Sequence, residues 1–150
     1  MRHWFIECMG IELSQLDNLR CKGTGAIAVA HLPLPVAEHI GCTLGLAYIS
    51  AQSIRHILRD HSDVELIDLV CLPDMVRTGL WIADRPREAC VLYDHPLRDL
   101  RFKAAIKAVG AGHETYIGTF HRVAPRQTRS ILRRGTVLCG SLQEAVGDLA

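Results

Sequence analysis

The stretch from residue 99 to residue 122, DLRFKAAIKAVGAGHETYIGTFHR, is the strongest constraint on the fold. It reads as two β-strands, over residues 102–109 and 115–122, joined by a tight turn at Gly110-Ala111-Gly112-His113. Side chains alternate between the two faces of a strand. Lys103, Ala105 and Lys107 therefore share one face of the first strand. Strict alternation puts Ile117, Thr119 and His121 on one face of the second, with Tyr116 and Phe120 on the other. A hairpin that brings two ammonium groups, a hydroxyl and an imidazole together suits a bound anion such as phosphate.

A hairpin needs a core beneath it, and 150 residues suffice for one. Net charge is +1, so nothing global points to a polyanion, but the charge is uneven. Residues 98–134 hold nine Lys and Arg against two acids, Asp99 and Glu114, which makes a local field for polyanions. None of the six cysteines forms a C-x-x-C pair, and their wide, irregular spacing argues against a zinc site and against a disulfide framework. They read as reduced, mostly buried thiols of a cytoplasmic protein. The opening MRHWFIECMGIE lacks the basic-then-apolar order of a signal peptide. The apolar region 23–49 is broken by His31, Pro33, Pro35, Glu38 and His39, so no membrane span is expected.

Along the chain, residues 11–19 predict a short amphipathic helix. Residues 23–45, rich in Gly, Ala and Pro, predict a linker or an edge strand, with LPLP at 32–35 extended. The clearest helix follows Ser50, a good N-cap, as AQSIRHILRDH. Ile54, Ile57, Leu58 and His61 fall on one stripe, and His56 lies toward the other side. Residues 64–69 predict a further helical turn. Short apolar runs at 75–76, 80–83 and 89–93, set between Pro and Gly breaks, predict meandering antiparallel strands. RQTRSILRR after Pro125 predicts a basic helix stopped by Gly135, then a strand at 137–138 and a last helix capped by Ser141. The expected fold is α+β, with N-terminal helices packed on a small antiparallel meander. Residues 1–45 read as an extension or linker, and residues 46–150 as the functional domain.

The order YISAQSIRHILRDH, LPDMV, CVLYDHP, LRFKAAIKAV, ETYIGTFHR resembles the phage-associated nucleases of the barnase–EndoU–colicin–RelE superfamily. Two motifs carry the resemblance. One is H-I-x-x-x-H at residues 56–61, after a Y-I-S entry, and the other is I-x-T-F at residues 117–120. The match covers about residues 48–134. It implies a metal-independent endoribonuclease without cofactor, as a toxin or phage-encoded effector that meets RNA and a neutralising antitoxin or immunity protein. The alternative is a catalytically inactive module on the same fold that binds nucleic acid or protein.

Cleavage of this kind needs a base for the ribose 2′-OH, a group that stabilises the charged phosphorane, and an acid for the leaving 5′-oxygen. Histidine suits the proton transfers because its ordinary pKa is near ~6.5. Lysine suits the charge. The resemblance favours His56 as the helix histidine, and the helical wheel favours His61. His121 is the second imidazole. Lys107 or Lys103 stabilises charge, Thr119 donates a hydrogen bond to a phosphate oxygen, and Arg122, Arg126 and Arg129 hold flanking phosphates. Aromatic residues make up only 5% of the chain, so weak base specificity is expected.

Overall fold

The computed structural model describes residues 10–42, 45–109 and 114–142. Seven strands form one open sheet: β1 (Ala26–His31), β2 (Leu46–Ser50), β3 (Leu80–Ala83), β4 (Glu88–Asp94), β5 (Arg101–Val109), β6 (Glu114–Arg122) and β7 (Thr136–Cys139). Their spatial order is β1-β2-β6-β5-β4-β3-β7. Every neighbouring pair is antiparallel except β2 and β6, which run parallel. The helices are α1 (Leu13–Lys22), α2 (Leu34–Ile40), α3 (Ala51–Asp60), α4 (Leu72–Thr78) and α5 (Pro125–Arg134), with a 3-10 segment at Leu66–Cys71. The class is thus mixed α and β around one sheet that is neither small nor wholly antiparallel.

The main core lies on one face of this sheet. Phe102, Ala104 and Ile106 of β5 and Ile117 and Phe120 of β6 are buried there against Ile54 and Ile57 of α3, Leu16 of α1, and Met75 and Val76 of α4. Ser50 starts α3 as its sequence implies, with its Oγ accepting from the Ser53 N–H at 3.0 Å. The stretch expected to be a linker or an edge strand supplies the edge strand β1, and from Gly10 onward it packs into this core. β1 pairs with β2, and Leu16, Leu19, Val29, Val36 and Ile40 are all buried in it. LPLP does not stay extended, because Pro35 sits in the first turn of α2, where its missing N–H costs nothing. The same device at Pro73 makes residues 75–76 part of α4 rather than a strand.

Among the described residues, the second face is covered at one end only. There α5 and Leu142 pack over Leu80, Ile82, Cys90, Leu92 and Val123. Gly135 ends α5 as expected, but not through a left-handed turn, since its φ is −107°. A Cβ there would lie 2.2 Å from Ile82 Cγ2 and 2.9 Å from Ala83 O, so the glycine permits close approach of the chain to β3. The expected last helix after Ser141, like the turn at residues 110–113, lies outside the described residues.

Candidate functional site on the open face of the sheet

The hairpin forms over nearly the predicted residues, and one irregularity decides which side chains it presents. Lys103 pairs with His121 and Ala105 with Thr119, but Ile106 pairs with Ile117. Gly118 is thus an extra residue without a partner, a β-bulge. It corrects the expected alternation. Ile117 turns into the core and is fully buried, while Thr119 and His121 stay on the opposite face with Lys103 and Lys107. Tyr116, expected opposite Thr119, shares its face, as the register partner of Lys107.

Ladder registers lay this second face out as rows across the strands. One row runs Leu92, Lys103, His121. The next runs Ile82, Cys90, Ala105, Thr119. The third runs Glu88, Lys107, Tyr116, Tyr48, Ala28. Two clefts open along these rows. The larger, about 300 Å³, is lined by Asp84, Glu88, Lys107, Gly118 and Thr119 among others. The smaller, about 190 Å³, brings Lys103 together with Arg85, Arg134 and Asp84 beside α5. Asp84 joins the two.

His121 ends the first row, half-buried, and the imidazole of His61 stacks on it with ring centroids 5.1 Å apart and planes 23° apart. His61 is brought there as the C-terminal cap of α3, which packs against β6. Nδ1 of His121 donates to the Arg122 carbonyl at 3.0 Å. That bond puts the proton on Nδ1 and leaves the Nε2 lone pair to accept another. Burial, with smaller contributions from His61 and Lys103, holds His121 below the ordinary imidazole pKa; the Arg122 carbonyl and Asp63 act in the opposite sense. The neutral imidazole is thus the form of His121 that its surroundings favour.

The remaining predicted residues divide. His56 is exposed on α3 close to Asp60, five residues before His61 in the chain, and the ring contact with His121 is made by His61. Thr119 and Lys107 line the larger cleft, one and two rows from His121. Arg126 and Arg129 are exposed on α5. Arg122 does not join the open face. Its register partner is the buried Phe102, and its Nε is buried without a hydrogen-bond partner among the described residues. Sequence reasoning missed Asp84, Arg85, Glu88 and Arg134. Arg85 and Asp84 come from the turn between β3 and β4, a break in the chain with no periodicity to reveal which way it faces.

Among the described residues, no group of three or more His, Cys, Asp and Glu side chains is placed to hold a metal ion. No helix of the described residues is long and apolar enough to cross a membrane. Of the described thiols, Cys42 and Cys90 are buried and Cys21 is exposed. Burial, reinforced by Asp68 and Asp74, pushes the Cys71 thiol up to about 12, which leaves it a poor nucleophile. No protein-family model, curated protein or solved structure matches this chain.

Proposed function

We propose that the protein is a metal-independent endoribonuclease that cleaves RNA by attack of a ribose 2′-OH on the adjacent phosphate, as a toxin or phage-encoded effector. The observation that carries the proposal is the His61–His121 stack beside Lys103 on the open, basic face. His121, neutral with a free Nε2, takes the 2′-OH proton. His61 supplies the proton to the departing 5′-oxygen. Lys103, directly across the ladder from His121, stabilises the charge that builds on the non-bridging oxygens. Thr119 and Lys107 hold the neighbouring phosphate in the larger cleft. The products are a 2′,3′-cyclic phosphate and a 5′-hydroxyl.

Two further features support a nuclease of the barnase–EndoU–colicin–RelE kind. Strands β3 to β6 form an antiparallel run, and α1 to α4, which precede them in sequence, supply its core face. The motif residues His61 and Thr119 lie at one edge of that run and on its open face. Incubation of generic single-stranded RNA with the protein in EDTA tests the reading. Cleavage that survives the chelator and is lost in His121→Ala is the expected outcome. RNA that is bound but left intact identifies a binding module instead.

A further inference from the structure

The row of open-face residues farthest from the histidines contains two tyrosines. Tyr48 of β2 and Tyr116 of β6 are register partners across the one parallel junction of the sheet, with ring centroids 5.8 Å apart and planes 36° apart. The bulge at Gly118 sets this arrangement, because it puts Tyr116 on the same face as Lys107 and Thr119. Tyr116 Oη donates to Glu114 Oε2 at 2.5 Å, which fixes the ring. On the far side Ala28, the register partner of Tyr48, is exposed and carries only a methyl group, while both tyrosines are half-buried among the described residues.

From this geometry we infer that Tyr48 and Tyr116 form a stacking subsite for an unpaired nucleobase of single-stranded RNA, whose backbone is led to the histidines by Lys107, Thr119 and Lys103. The inference deepens the nuclease reading and rests on it for the direction of the strand. The lysines on the path to the histidines favour RNA as the occupant: Lys107 stands directly beside Tyr116 and Lys103 beside His121, with the carboxylates of Glu88, across from Lys107, and Glu114, bonded to Tyr116, flanking the same row. Base stacking on an aromatic ring is sequence-tolerant, since every base has a π-face. Lys103 and Lys107 are four residues apart on β5, roughly 13 Å. The stacked base therefore belongs to a nucleotide flanking the cleaved bond.

The test is equilibrium binding of a fully 2′-O-methylated single-stranded oligonucleotide, which cannot be cut through the 2′ position, to the full-length protein. Tyr48→Ala and Tyr116→Ala should each weaken binding by about 5- to 150-fold, the range for loss of one stacked base. Tyr116→Leu, which keeps apolar cover without a π-face, should weaken it similarly, and Tyr116→Phe, which keeps the π-face and loses only the bond to Glu114, should weaken it less than Tyr116→Leu does. Circular dichroism checks that each variant folds. Wild-type affinity in Tyr48→Ala, Tyr116→Ala and Tyr116→Leu, or no binding by the wild-type protein, overturns the subsite. Failure of the nuclease reading looks different: tyrosine-dependent binding together with uncut RNA removes the enzyme and leaves the subsite standing.

Discussion

His61 and His121, sixty residues apart in the chain, lie with their imidazoles stacked at 5.1 Å, and the neighbouring His61 opposes protonation of His121. Burial adds to the effect at His121 and is its largest cause. The pKa of His121 therefore lies below the ordinary imidazole value. The acid limb of log kcat/KM for RNA cleavage should fall at a pH below ~6.5. Removal of the Lys103 charge in Lys103→Met should raise that limb, because Lys103 helps to hold His121 deprotonated. An acid limb at or above the ordinary value, unmoved in Lys103→Met, would contradict the assignment. His121→Ala should lower kcat by about 100- to 10,000-fold, the usual worth of one acid–base group.

The same shift has a consequence for folding. A histidine whose folded pKa is depressed favours the folded state fully above the unfolded value of ~6.5 and loses that contribution as pH falls toward the folded pKa. Denaturant unfolding followed between pH 7.5 and pH 5 should show wild-type stability declining more steeply than that of His121→Gln. Parallel curves would mean that the buried imidazole is not what titrates.

The bulge makes a prediction about faces. Ile117 is fully buried and Thr119 exposed, so Ile117→Ala should cost about 2–5 kcal/mol. Thr119→Ala should change stability by no more than about 0.5 kcal/mol, its effect falling on RNA cleavage instead. Comparable stability losses at the two positions in urea unfolding would return Ile117 and Thr119 to a common face.

How much of this could be read in advance depends on how local each signal is. The β5–β6 hairpin and the Ser50 helix were legible because alternation, a cap and a stripe all lie within a dozen residues. The bulge was not, since its mark in the sequence is a single glycine that a regular strand also tolerates. A one-residue error there moved Ile117 and Tyr116 to the wrong faces. The place of β1 at the sheet edge depends on pairing with β2 across α2, and the pairing of β2 with β6 spans more than sixty residues. Proline misled twice, at Pro35 and Pro73, because a first-turn proline in a helix looks like a breaker until the following residues are seen packed. Which of His56 and His61 meets the sheet depends on the side of α3 that packs on β6, and it is the ring of His61 that reaches His121.

A further prediction concerns the end of the sheet that α5 covers. Arg101 and Asp94 are nearly buried there and meet in a bidentate pair, Nε to Oδ1 at 2.6 Å and Nη2 to Oδ2 at 3.0 Å. Arg101 also donates to Thr128 Oγ1 of α5 at 3.3 Å. Asp94→Ala should destabilise the fold by about 1.5–3 kcal/mol, the cost of losing hydrogen bonds to a charged group. Thermal unfolding measures it, and a loss below 1 kcal/mol would mean that the pair is solvated in solution.

The most direct measurement of the central claim is the chemistry of the cut ends. RNA digested in EDTA should carry 2′,3′-cyclic phosphates on the upstream fragments and 5′-hydroxyls on the downstream ones when read by mass spectrometry, and His121→Ala should form both at least about 100-fold more slowly. Ends bearing 5′-phosphate, or the same cyclic ends at the same rate from the His121→Ala protein, would contradict the account.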